Sequence, residues 1–183
     1  MKSKLSEQTR IILLIEELLK EVGDLSNIKP FDFKFRGDEG YFNIDEDTEV
    51  IMFYNQLTNQ DKNNLTDYNQ ILEVNKNPVF DIGFSVNGEI TQGLKSDLKL
   101  LNRILKTVLI YSKHIMDIIE DNYKEYKPVF IIASQAKNTK VFKDDEQKLE
   151  YYEHIILNNI PNIYRKYTGK YKNKNVMLIQ KLR

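Results

Sequence analysis

Val129-Phe-Ile-Ile-Ala-Ser134 is an apolar run with no polar residue until its last position. A half-buried strand alternates polar and apolar residues. A run without alternation is the mark of a short strand covered on both faces. Pro128 stops any helix from running into it. Upstream lies a long helical pattern from about Asp97 to Asn122, with Ser96 as N-cap. Its apolar stripe includes Leu98, Leu101, Leu105, Val108, Ile115 and Ile119. About 26 residues at about 1.5 Å each give roughly 39 Å. Before the helix, Pro78 to Val86 reads as a strand, and Asn87-Gly88 as a tight reversal. After the apolar run comes a basic loop with Lys137, Lys140 and Lys143. Asp144 and Gln147 then form a capping-box pattern. That helix carries Leu149, Tyr152, Ile155 and Ile156 inward and breaks at Pro161. Asn175 to Leu182 is the last strand. The 129–134 strand is expected between the 78–86 strand and this last one.

The N-terminal part is organised differently. Residues 5–22 read as an amphipathic helix with Ile11, Ile15, Leu18, Leu19 and Val22 on one face and Glu16, Glu17, Lys20 and Glu21 on the other. Leu13 and Leu14 widen its apolar stripe, which suits a core helix or a helix that also packs on a partner. Phe31, Phe33 and Phe35 alternate with polar residues as a half-buried strand. Gly37-Asp-Glu-Gly40 is turn chemistry. Tyr41–Ile44 and Glu49–Gln56 complete an antiparallel meander. The Asn-rich stretch 57–77 reads as a long loop with one helical turn, anchored by Leu65, Tyr68, Ile71, Leu72 and Val74. The chain is thus expected to be α+β, with residues 1–30 forming an N-terminal helix and linker and residues 31–183 a single α/β domain.

Composition removes several functions. The 183 residues include no cysteine and two histidines, which excludes thiol catalysis, disulfides and Cys- or His-rich metal sites. Lys plus Arg and Asp plus Glu are both 27, so bulk charge argues against a dedicated nucleic-acid binder. No apolar run is long enough for a membrane-spanning helix, and Met1-Lys-Ser-Lys reads as no signal peptide. Many lysines and isoleucines with only two alanines, Ala133 and Ala136, point to an A+T-rich genome.

Four places could carry chemistry. The turn 87–96 reads as a hairpin followed by an N-cap, or as an anion site at a helix N-terminus. Asp45-x-Asp47-x-Glu49 hints at calcium but lacks the EF-hand spacing, and reads as a solvated turn. Tyr151, Tyr152 and His154 offer a general acid or plain packing. Ser134 and His114 fall in no nucleophile pattern. Finally, no acid follows Glu153, and Arg165, Lys166, Lys170, Lys172 and Lys174 are interleaved with Tyr164, Tyr167 and Tyr171. These five basic residues are expected to form one positive face that meets an acidic protein surface or nucleic acid.

From residue 31 onward, the order of strands, turn, long helix, buried strand, helix and strand resembles the GNAT superfamily of acyl-CoA-dependent N-acetyltransferases. The resemblance implies a GNAT-like, mixed and mostly antiparallel sheet flanked by helices. It also implies that Ile90-Thr-Gln-Gly93-Leu-Lys95 occupies the place of the family's pyrophosphate loop, Arg/Gln-x-x-Gly-x-Gly/Ala. Gly93 fits the middle glycine. Ile90 and Lys95 depart from the other two defining positions. An enzyme of this kind would hold acetyl-CoA on Gln92, Gly93 and Ser96, with Tyr151 or Tyr152 as general acid. The segment from Pro78 onward also resembles uncharacterised phage proteins of this fold, through a Thr- and Gly-containing turn, the Thr107-Val108 step, the buried strand and a Tyr-bearing helix. With the cofactor loop degenerate, the resemblance implies a non-catalytic structural or interaction module of a bacteriophage. That would be an oligomeric virion or tail component, located in the host cytoplasm or the virion. An N-acyltransferase is the alternative, and an RNA-binding or host-modulating protein using the basic C-terminal segment is a further one.

Overall fold

The computed structural model describes residue 25 and residues 27–66, 72–87, 98–132, 155, 159–172 and 174–182. They form one mixed α+β body around a single sheet. In chain order the elements are β1 (Lys34–Arg36), β2 (Glu39–Asn43), β3 (Glu49–Gln56), α1 (Asn59–Lys62), β4 (Leu65–Thr66), β5 (Val79–Asn87), α2 (Leu98–Asn122), β6 (Val129–Ile132), β7 (Tyr164–Tyr171) and β8 (Lys174–Lys181). The sheet order is β1-β2-β3-β5-β6-β8-β7-β4. Among the described residues only β5 and β6 run parallel, in register from Val79↔Val129 to Ile82↔Ile132. A parallel pair needs a crossover connection, and α2 lies within it.

The apolar run that begins at Val129 supplies the central strand. β6 lies between β5 and β8, and Val129, Phe130 and Ile131 are each 0% exposed. Both faces of the sheet are covered by separate apolar clusters. On one face Phe42, Met52, Phe80, Ile82, Phe130, Met177 and Ile179 pack with the buried stripe of α2. On the other, Val79, Val129, Ile131, Val176 and Leu178 pack with Leu57, Leu65, Leu72 and Val74.

The described parts of the stretch 57–77, residues 57–66 and 72–77, are more structured than a loop. Thr58 caps α1 by accepting from the Asp61 N–H at 3.1 Å. β4 adds two residues to the edge of β7. Asn77 is buried: its amide donates to the Leu72 carbonyl at 3.2 Å, and its oxygen accepts from the Lys127 N–H at 2.9 Å. Gln180 Nε2 donates to the Lys127 carbonyl at 3.0 Å and to that of Leu72 at 3.3 Å. Two buried amides therefore pin this segment to the sheet, alongside its apolar anchors Leu57, Leu65, Leu72 and Val74.

Phe31, Phe33 and Phe35 are not one half-buried strand. Only Phe35 lies in β1, and it is 49% exposed, while Phe31 and Phe33 precede the strand and pack on the α2-side core. Phe31 stacks on Phe42 at 4.8 Å, and its N–H donates to the Thr107 hydroxyl at 2.9 Å. Leu25 is 1% exposed and belongs to the same core, so the linker before residue 31 is part of the body. The expected helix at 5–22 lies outside the described residues, as does all of the 144–160 helix except Ile155, Asn159 and Ile160. Ile155 is buried in the core, as expected of its inward face. No helix among the described residues is long and apolar enough to cross a membrane.

Candidate functional site

Two places converge on chemistry. The first lies on the sheet face away from α2. Asp81 sits mid-strand in β5, in register with Asn55 on one side and Ile131 on the other. Strand alternation places it on the face of Val79 and Ile131. Burial raises its carboxyl above the ordinary range, and the positive charge of Lys172 works against that rise. Lys172 occupies the β7–β8 turn with φ of 50°, a left-handed conformation that is uncommon for a residue with a side chain. Its N–H donates to the Asn64 carbonyl at 3.1 Å. Its ammonium lies 5.0 Å from the centre of the Tyr171 ring and 4.0 Å from Asp61. The hydrogen bond to Tyr171, followed by the nearby carboxylates, holds that ammonium above its usual range. One lysine thus serves two carboxylates, Asp61 and Asp81, over the apolar layer of Leu65 and Tyr171.

The second place is at the C-terminal end of the parallel pair. Among the described residues, β6 ends at Ile132, while β5 continues from Gly83 to Asn87 and β8 begins earlier, at Lys174. At this end the chain leaves β5 for α2 through residues 88–97, which lie outside the described residues.

At the opposite end of the sheet a concavity of about 560 Å³ lies between the end of α2, Pro128 and the end of β8. Lys181 donates to Glu120 there at 2.6 Å. Burial, and then the Glu120 charge, push the Tyr164 hydroxyl well above the ordinary phenol range. The acids and lysines lining this hollow largely neutralise one another.

The basic C-terminal residues do not form one face. They belong to a hairpin, because β7 runs from Tyr164 to Tyr171. Register places Arg165 opposite Gln180, and Lys166 and Lys170 opposite Ile179 and Asn175. The two-residue period of a strand then sends Arg165 to the Asp81 face, and Lys166 and Lys170 to the α2 face. Lys166 donates to the Ile160 carbonyl at 3.0 Å, and partial burial lowers its ammonium below its usual range. Lys172 is drawn into the carboxylate cluster, and Lys174 opens β8 opposite Tyr171.

Gln92, Gly93, Ser96, Tyr151 and Tyr152 lie outside the described residues. Asp45 accepts from the N–H of Asp47 at 3.0 Å, a local turn bond. His114 packs its ring on Phe35 at 5.7 Å. Asp81 was not singled out in the sequence. Its signal was a lone acid inside the apolar segment Pro78-Val-Phe-Asp-Ile-Gly-Phe. No protein-family model, curated protein or solved structure matches this chain.

Proposed function

We propose that the chain is a non-catalytic interaction module built on a GNAT-like fold, serving as a structural or assembly component of a bacteriophage. The observation that carries this reading is the parallel pairing of β5 with β6 across a crossover that contains α2. In sequence, residues 88–97 bridge β5 to α2 at the C-terminal end of that pair. In a GNAT-like arrangement this is where the pyrophosphate would be held. The strand order, with a single parallel pair spanned by α2, supports that arrangement. Ile90 and Lys95 fall in this bridge where the family pattern has a polar and a small residue. A phosphate cradle needs close backbone approach, which a side chain at position 95 obstructs.

The second reading, an acyl-CoA-dependent N-acyltransferase, is favoured by Asp81. A carboxyl raised by burial, on the strand that leads into this bridge, suits a proton acceptor. Calorimetry with CoA and acetyl-CoA separates the two. The expected result is no heat of binding at about 1 mM ligand, a concentration that detects interactions of about −4 kcal/mol or stronger. Micromolar affinity abolished by Gly93→Val would establish the enzyme reading instead.

A further inference from the structure

The outer side of α2 carries an apolar groove where it meets residues 159–164. Lys106, Leu109, Ile110, Lys113 and Met116 line one wall, and Ile160 and Pro161 the other, around about 120 Å³ of free space. Ile110 is 41% exposed and Ile163 50%. Leu25 closes one part of the groove, and its carbonyl accepts from Lys106 Nζ.

That anchor fixes what is within reach. The 24 residues before Leu25 include the amphipathic pattern 5–22, whose last residue, Val22, is three positions from Leu25. Three residues span at most about 11 Å. The end of any helix at 5–22 is therefore held next to this groove. Its apolar stripe matches the groove in character. The carboxylates Glu16 and Glu21, which border that stripe, match the Lys106 and Lys113 ammonium groups on the groove wall.

We infer that residues 5–22 of the same chain dock as a helix on the outer face of α2, with Leu18, Leu19 and Val22 covering Ile110 and the groove beside Leu25. The rest of the widened stripe, Leu13 and Leu14, then lies further along and away from the tether.

The absence of cysteine makes the test direct. In the whole chain, Leu18→Cys and Leu19→Cys are each combined with Ile110→Cys or Lys113→Cys, both at exposed positions. Disulfides form only where Cα atoms come within about 7 Å. Under mild oxidation, at least one stripe pair is expected to close within the monomer about tenfold faster than the polar-face control Glu17→Cys with the same α2 partner. Equal rates for stripe and control, or no closure in any of the four stripe pairs, would overturn the docking. A disulfide-linked dimer would overturn it too, showing that the groove takes the helix of a second copy.

Discussion

Gly40 in β2 lies against the ring of Tyr111. A Cβ added at Gly40 would come within 2.7 Å of that ring, which is itself 0% exposed and cannot swing away. Tyr111 also donates to the Asp38 carbonyl at 3.1 Å, and burial pushes its hydroxyl up to about 12. Gly40→Ala is expected to cost about 1–3 kcal/mol through overpacking. Tyr111→Leu should recover part of that cost, so chemical denaturation of the double-mutant cycle should show coupling between the two sites. Asp81 gives a pH test at the same scale. Its folded carboxyl titrates above its unfolded value of 3.8, chiefly through burial. The folded state therefore binds more protons across the window above 3.8, and stability falls as pH rises through it. Asp81→Asn should remove that slope and be more stable than the parent at neutral pH, as read by denaturation at a series of pH values. A parent protein with a flat profile across the window would contradict the burial of this carboxyl.

At the scale of elements, α2 and β6 carry the organisation. Thr107 is 0% exposed; its hydroxyl donates to the Arg103 carbonyl at 2.8 Å and accepts from the Phe31 N–H. Thr107→Val keeps the shape and strands a buried donor, at an expected cost of about 1–3 kcal/mol. Ile131→Asp places a charge in the middle of β6, and a loss of about 3–5 kcal/mol is expected in thermal or denaturant melts. Near-parental melting of that variant would contradict the central placement. β6 was legible in the sequence because nothing polar interrupts it, and β3 because Val50 and Met52 point inward between partly exposed neighbours. β7 was not, because its covered positions are Tyr164, Tyr167, Gly169 and Tyr171, separated by lysines and an arginine. In composition that segment is a basic tail, and only its pairing with β8 shows it to be a strand. β4 is two residues long and has no period to read. The cofactor-loop and tyrosine positions fall outside the described residues, so the candidate site was legible only as a place in the topology, between β5 and α2.

For the molecule as a whole, charge is balanced by folding as well as by count. The C-terminal hairpin is acid-free in sequence, yet it is set against acids from elsewhere: Lys172 against Asp61 and Asp81, Lys181 against Glu120. These lysines are occupied within the fold, whereas Arg165 and Lys170 are exposed. The two groups should therefore respond differently to charge reversal. Lys172→Glu brings a third negative charge to two carboxylates and should lower the melting temperature, most at low ionic strength, where screening is weakest. Arg165→Glu and Lys170→Glu should melt like the parent. Because strand alternation points these two side chains to opposite faces of the sheet, an acidic partner on one face would sense only one of them. In a pull-down or particle-assembly assay at two salt concentrations, one single variant is expected to lose salt-sensitive association while the other keeps it. Loss in both would mean that the partner wraps the hairpin edge. Loss in neither would leave the basic residues a solvated surface, and the contact with other subunits would then have to be sought on the apolar side of the molecule, around Leu13 and Leu14.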